Sequence, residues 1–246
     1  MEIRVLDDYA AICREASVQV ARTIRNKPNC VLGMPTGSTP IGMFRELVRL
    51  HREEGLDFSH VVSFNLDEYL GIPPTHAQSY HVYMREHLFT HINISPDRVF
   101  IPMGNAEDPV AHCTWYEKKI AEFGGIDLLL LGIGTNGHIA FNEPGSPLMG
   151  RTRVGSLSSH TRRDSIRLFG SPEAVPKFAI TMGIGTLLEA RRILLLASGA
   201  GKAEIVRIAV EGPITARVPA SSLQFHADTT FLLDPPAAYL LEKDEG

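Results

Sequence analysis

Three short stretches of this 246-residue chain carry residue types whose spacing suits chemistry. The first, Gly132-Ile-Gly-Thr-Asn-Gly-His-Ile-Ala-Phe-Asn-Glu-Pro-Gly145, places His138 two residues after Asn136 and five before Glu143 on a glycine-rich turn. An imidazole oriented by an amide or carboxylate is the usual proton shuttle near neutral pH; a histidine that satisfies loop carbonyls is the plainer alternative. The second, Ser63-Phe-Asn-Leu-Asp-Glu-Tyr-Leu-Gly71, puts Asp67 and Glu68 at the carboxyl end of an expected strand, where open α/β sheets bind ligands. Adjacent acids on extended chain point to opposite faces, so one can enter a pocket while the other faces its wall. The third, Gly33-Met-Pro-Thr-Gly-Ser-Thr-Pro40, joins an expected strand to an expected helix. Its freed amides, the hydroxyls of Thr36, Ser38 and Thr39 beside Gly37, and the helix dipole make an anion cradle or, failing that, a tight turn. It lacks the Gly-Lys-Ser/Thr ending of a nucleotide-triphosphate loop, so a sugar phosphate fits at least as well.

Positive charge accompanies these stretches. Lys202 follows Ser198-Gly-Ala-Gly201 at an expected helix start, and Arg151, Arg153, Arg162, Arg163 and Arg167 lie in the segment 144–175 against two acids, Asp164 and Glu173. That segment shows no apolar period and reads as a connection, a mobile lid that seeks anions; a solvated charged surface is the alternative. The run Gly132 to Gly137 matches the dinucleotide fingerprint, but Pro144-Gly145 follow too soon for the helix that the fingerprint must open. His87 and His91 are four apart, with no third ligand near them, and read as a helix face. Cys13, Cys30 and Cys113 suit neither a disulfide framework nor a zinc site and read as buried small side chains.

The elements that must position these residues are legible as apolar runs bounded by Gly, Pro, Asn or Asp. The runs are 30–32, 61–64, 99–101, 127–131, 178–180, 193–196 and 230–233. Several are continuously apolar, as in strands covered on both faces. Between them, Tyr9, Cys13, Ala16, Val20 and Ile24 recur at helical steps after Asp7 and Asp8, and further helices are expected near 40–54, 78–91, 108–123 and 201–211. The expected fold is α/β: a mostly parallel sheet of about seven strands with helices on both faces. No linker or repeat divides the chain, so one domain, 1–246, is expected.

Composition excludes whole classes. Apolar residues at 44% and charged residues at 21% are ordinary for a globular protein and argue against disorder. A net charge of -4 without a polybasic run disfavours nucleic acid as a partner. The longest apolar stretch, 126–134, is interrupted by Asp127 and is far below the roughly 20 residues that span a bilayer. The start, acidic and helix-like, lacks the pattern of a secretory signal, so no membrane partner and a cytoplasmic location are expected.

Taken together, the motifs resemble glucosamine-6-phosphate deaminases of the glucosamine/galactosamine-6-phosphate isomerase family. The resemblance runs in order through Thr36-Gly-Ser-Thr-Pro40, Phe64-Asn-Leu-Asp-Glu-Tyr69, Gly137-His-Ile-Ala-Phe-Asn-Glu-Pro144, Arg151-Thr-Arg153, Val175-Pro-Lys177, Gly183-Ile-Gly-Thr186 and Gly199-Ala-Gly-Lys202. It implies a modified Rossmann-like fold and the conversion of glucosamine 6-phosphate and water to fructose 6-phosphate and ammonia, with no metal or organic cofactor. It also implies that Asp67 is the base between carbons 2 and 1, that His138 opens the ring with Asn136 and Glu143 as partners, and that Thr36, Gly37, Ser38, Thr39, Arg167 and Lys202 hold the phosphate. Some members carry Asp where this chain has Asn136, so Glu143 must supply most of the charge that stabilises imidazolium here. Allosteric members, hexamers activated by N-acetylglucosamine 6-phosphate, carry a basic residue where Gly155 stands, and the chain ends soon after Tyr239; a nonallosteric monomer or small homo-oligomer is therefore expected. The rivals are 6-phosphogluconolactonase, which shares the Gly-His turn but has no need of a base at carbon 2, and a silent sugar-phosphate sensor, for which the chain has no spare DNA-binding segment.

Overall fold

The computed structural model describes residues 1–242. The chain begins with strand β1 (Glu2–Val5), helix α1 (Tyr9–Asn26), β2 (Val31–Met34), α2 (Ile41–Glu54), β3 (Val62–Asn65) and β4 (Asp67–Tyr69). It continues through α3 (Tyr80–His87), β5 (Val99–Phe100), α4 (Pro109–Glu122), β6 (Leu128–Gly132), β7 (Arg153–Ser156) and α5 (Ser159–Phe169). It closes with β8 (Phe178–Thr181), α6 (Ile184–Leu188), β9 (Ile193–Ala197), α7 (Ala203–Glu211), β10 (Thr229–Leu233) and α8 (Pro235–Ala238).

Seven strands form the main sheet in the order β1-β10-β9-β6-β2-β3-β5, and every neighbouring pair is parallel. Alternation along β6 shows how the core is divided. Leu128 and Leu130 join the cluster that packs Ile12, Val20, Phe44 and Leu47 of α1 and α2, while Leu129 and Leu131 join Tyr116, Ile120 and Val206 of α4 and α7. Each such side chain, fully removed from water, contributes about 1.5–3 kcal/mol before chain entropy is counted. Helices therefore cover both faces, as a continuously apolar strand requires.

Sequence order reverses at β2, whose neighbours are β3 on one side and β6 on the other. Loops leaving the carboxyl ends of β2 and β6 diverge there, which opens a crevice at the topological switch point. A second sheet, β4-β8-β7, is antiparallel and has three strands. It stands beside that crevice and carries Asp67.

The main sheet has the expected number of strands with one exchange of membership. The apolar run 178–180 belongs to the small sheet, with Phe178 exposed, and the seventh main-sheet strand is β1, read in sequence as helix-like. Glu2-Ile-Arg-Val pairs with β10 alone and so keeps the polar alternation of an edge strand. Segment 144–175 is also not the structureless connection expected: it contains β7 and α5. The inward face of α5 is Thr161 and Ser165 rather than Leu or Ile, so an apolar period had nothing to register. Its ends were encoded all the same, by Ser158, whose side chain accepts the Thr161 amide, and by Gly170 at φ +85°. The three cysteines are buried and free, as expected. Among the described residues no helix is long and apolar enough to cross a membrane.

Candidate active site

A cleft of about 270 Å³ opens at the switch point, between the loops that follow β2 and β6, the strand β4, the helix α5 and the start of α7. Its lining includes Thr36, Gly37, Ser38 and Thr39, with Arg167 and Lys202. Gly37 has φ +98°, a conformation in which a side chain is strained, so the loop can turn its amides inward. The loop is braced from behind: the Tyr83 hydroxyl donates to Gly37 O at 2.5 Å and the Tyr9 hydroxyl to Thr39 O at 2.8 Å. Pro40, which caps α2, offers no side-chain hydrogen bond to the first turn of the helix, so the positive end of the helix faces the loop. Lys202 Nζ donates to Ile133 O at 2.6 Å, which fixes the ammonium on the cleft side of β6. Burial pulls its pKa below the usual lysine value, and the charge of Asp164 opposes that pull.

Of the five arginines in 144–175, only Arg167 lines the cleft. Arg151 is neutralised by Glu117 and Glu189 at 2.5 Å each. Arg153 Nη1 donates to Asn142 Oδ1 at 2.7 Å, and Asn142 in turn donates to Ile139 O and Met182 O. Arg153 therefore braces the turn 139–143, Arg151 is held by α4 and the residue that ends α6, and Arg162 and Arg163 are not part of the cleft lining.

The same cleft is lined by Asp67, buried on β4, and by His138 on the loop after β6. His138 Nδ1 lies 2.7 Å from Asn136 Oδ1, and Asn136 Nδ2 donates to Glu143 Oε2 at 2.9 Å. Because the amide nitrogen of Asn136 is committed to Glu143, its oxygen must accept, so Nδ1 carries the proton and Nε2 keeps the free lone pair. The link from imidazole to carboxylate thus passes through the amide, with Nδ1 still 3.8 Å from Glu143 Oε2. Burial pushes Glu143 up, but hydrogen bonds from Thr161, Asn136 and the Ser158 amide, with the nearby imidazole, outweigh it and hold the carboxyl below its usual range. Burial lowers His138, and the charge of Glu143 opposes this. Asn136 and Glu143 stand behind His138 rather than on the cleft surface.

The backbone fixes the imidazole from below. A Cβ at Gly134 would come within 2.2 Å of the His138 ring, so the ring lies flat on that glycine. Ala140, also on the cleft wall, adopts φ +50°, a left-handed conformation that strains an L-residue and is retained where surrounding contacts enforce it. Burial pushes Asp67 up to about 8, with the neighbouring Glu68 adding to the rise and the Phe141 amide opposing it. A carboxyl so perturbed, in a cleft, is suited to proton transfer near neutral pH.

Several cleft residues escaped the sequence reading. Tyr69, Tyr80 and Phe141 form an aromatic wall, and Tyr69 Oη lies 3.3 Å from Ser165 Oγ on α5. His160 Nε2 lies 2.7 Å from Thr135 Oγ1 and 3.5 Å from Asp164 Oδ2, tying α5 to the loop after β6. Tyr69 and Phe141 sat inside motifs already singled out, whereas His160 and Asp164 lay in a segment without visible period.

A family model described as glucosamine-6-phosphate isomerases/6-phosphogluconolactonase matches residues 7–232. The chain belongs to this isomerase/lactonase family. Within it, the chain is 49% identical over 245 residues to a glucosamine-6-phosphate deaminase of Cellvibrio japonicus (strain Ueda107), covering all of this chain and 93% of that one. A deaminase of the same name from Halothermothrix orenii (strain H 168) is 48% identical over 98% of this chain and all of its own length. A solved monomeric glucosamine-6-phosphate deaminase superposes with a TM-score of 0.95 at 47% identity, covering 98% of this chain and 100% of that one. The 6-phosphogluconolactonase of Trypanosoma brucei superposes with a TM-score of 0.76 at 23% identity over 98% of each chain, a likeness of fold alone. The isomerase/lactonase family thus accounts for the strand order and the crevice, and within it the relatives of high identity are glucosamine-6-phosphate deaminases, whereas the lactonase is distant in sequence.

Proposed function

We propose that this chain is a glucosamine-6-phosphate deaminase, converting glucosamine 6-phosphate and water to fructose 6-phosphate and ammonia. The observation that carries this reading is the convergence of Asp67 and His138 on one cleft that is also lined by the loop Thr36 to Thr39, Arg167 and Lys202. The phosphate lies in the cradle these make, where guanidinium fork and ammonium point charge complement each other. His138 Nε2 takes the proton of the anomeric hydroxyl and returns it to the ring oxygen, which opens the sugar to its aldehyde. Asn136 and Glu143 hold the ring orientation and stabilise the transient imidazolium. The aldehyde acidifies carbon 2; Asp67 removes that proton, giving an enolamine, and delivers it to carbon 1. The resulting ketimine adds water at carbon 2 and loses ammonia, which balances the reaction.

The segment 144–175 acts as a lid: Arg167 and the Thr135–His160 contact place α5 over the cleft, and its opening admits substrate. The chain works as a single domain, a cytoplasmic monomer or small homo-oligomer without allosteric control, since Gly155 offers no charge to an effector. The deaminases among its relatives, at 44–49% identity, support the reading against lactone hydrolysis.

The test is to incubate the protein with glucosamine 6-phosphate and follow ammonia and fructose 6-phosphate together, beside Asp67→Asn and a parallel 6-phosphogluconolactone assay. Equimolar products that the variant abolishes are expected. Lactone hydrolysis without ammonia would transfer the chain to the other branch of its family, and sugar-phosphate binding without either activity would make it a sensor.

A further inference from the structure

Asp67 and Glu68 are neighbours on β4 and both are buried, yet their surroundings differ. Asp67 faces the cleft, where the nearby Phe141 amide favours its charge but donates its hydrogen bond to Thr181 Oγ1 at 3.1 Å. Glu68 faces the opposite way and takes three donors. Its Oε1 accepts the Tyr69 amide at 2.8 Å, and its Oε2 accepts the Ser79 hydroxyl at 2.5 Å and the Tyr80 amide at 2.9 Å. The last two belong to the N-cap and first residue of α3, whose dipole also favours an anion there. The chain behind is tightly packed: a Cβ at Gly104 would meet Tyr69 O at 2.2 Å and Glu68 Cγ at 3.3 Å.

The titratable groups that face the pair are the phenols of Tyr69 and Tyr80 and the phenol of Tyr116 from α4; His81 of α3 brings its amide near Glu68 but turns its imidazole to Pro102 O at 3.1 Å. Burial raises the phenols and lowers the imidazole, so all four are neutral near pH 7. Two negative charges on adjacent residues in such surroundings repel strongly, and the one with more donors ionises first.

Resting on the deaminase reading above, we propose that Glu68 is a positioning residue for the proton transfer: it holds the first negative charge of the pair, anchored by β4 and the start of α3, and thereby strengthens Asp67 as the base. The order of the two carboxyls agrees with this, Glu68 being pushed up by burial to about 7 and Asp67 to about 8.

The pH dependence of kcat/KM in wild type and Glu68→Gln tests the assignment. The acid limb of the variant is expected about one pH unit lower, because Asp67 then ionises beside a neutral neighbour, with a reduced plateau kcat from the weaker base. Ionisations of the substrate are common to both proteins and cancel in the difference. A structural role alone would lower kcat/KM evenly across pH and leave the limb in place, which would overturn the proposal. Should Glu68→Gln not fold, Ser79→Ala keeps both carboxyls but removes one donor from Glu68, and a smaller shift in the same direction is expected; an unmoved limb overturns the idea. The carbon-13 titration of the Asp67 carboxyl in the same proteins reads the coupling without turnover, so a wild type that releases no ammonia would sink the deaminase reading and leave this measurement to decide the charge coupling.

Discussion

In the proposed phosphate cradle the groups that line the cleft are loop amides, hydroxyls and two cations on segments from β2, α5 and α7, whereas Asp67 lines it from a short strand, with Glu68 buried on the opposite face of that strand. The cradle is braced through its backbone by the phenols of Tyr9 and Tyr83 and tolerates solvent. The carboxylate pair is fixed by a separate antiparallel sheet and depends on dryness, since desolvation leads the rise in the proton affinity of Asp67. On the proposed function, binding and chemistry are thus supplied by different materials: preset backbone geometry for one, a destabilised charge for the other.

Breaking the dry pair has the largest effect. Asp67→Asn removes the base and is expected to lower kcat about a thousandfold or more with KM little changed, read from ammonia release. The same variant is expected to melt higher. Asp67 is raised in the folded protein, so the unfolded chain loses its proton near pH 4 while the folded one keeps it until about pH 8. Wild-type stability therefore falls as pH rises through that window, and the neutral amide escapes the fall. Calorimetry at pH 5 and pH 8 checks this, and a Tm difference that does not grow with pH would contradict it.

Breaking the cradle is expected to act on binding. Lys202→Ala and Arg167→Ala each remove a charge-assisted contact, which corresponds to about a tenfold to hundredfold rise in KM with kcat nearly kept. A loss confined to kcat would mean that the phosphate lies elsewhere. Asn136→Asp sharpens the comparison at its midpoint: a carboxylate at 2.7 Å from Nδ1 stabilises imidazolium, so the His138 pKa rises and the corresponding limb of the pH profile moves up. An unmoved limb would show that Glu143 already saturates the effect. The smallest expected effect is none at all: N-acetylglucosamine 6-phosphate leaves a hyperbolic saturation curve unchanged, and a sigmoidal curve relaxed by that sugar would contradict the reading of Gly155.

The legibility of the site followed the same division. Asn136, His138 and Glu143 lie on one glycine-rich turn, and Thr36 to Thr39 on one loop, so local spacing was enough to group them. The alternation argument for Asp67 and Glu68 also held, because three residues of β4 are truly extended. What spacing could not show was which arginine reaches the cleft, since the carboxylates that occupy Arg151, Glu117 and Glu189, come from distant helices. Likewise β7, Arg-Val-Gly-Ser, is nowhere fully buried, and α5 turns Thr161 and Ser165 inward, so a search for apolar period passes over both.

The small sheet also sets an order of events during synthesis. Asp67 emerges early, but β4 pairs with β8, residues 178–181, more than a hundred positions later. A nascent chain that has not reached β8 lacks the strand that buries Asp67, which there keeps the acidity of an exposed carboxylate. The first strand waits longer still, since β1 pairs only with β10. The protein therefore acquires its perturbed carboxyl and closes its sheet late, when nearly all of the chain is available, and an incomplete product of translation carries no competent base.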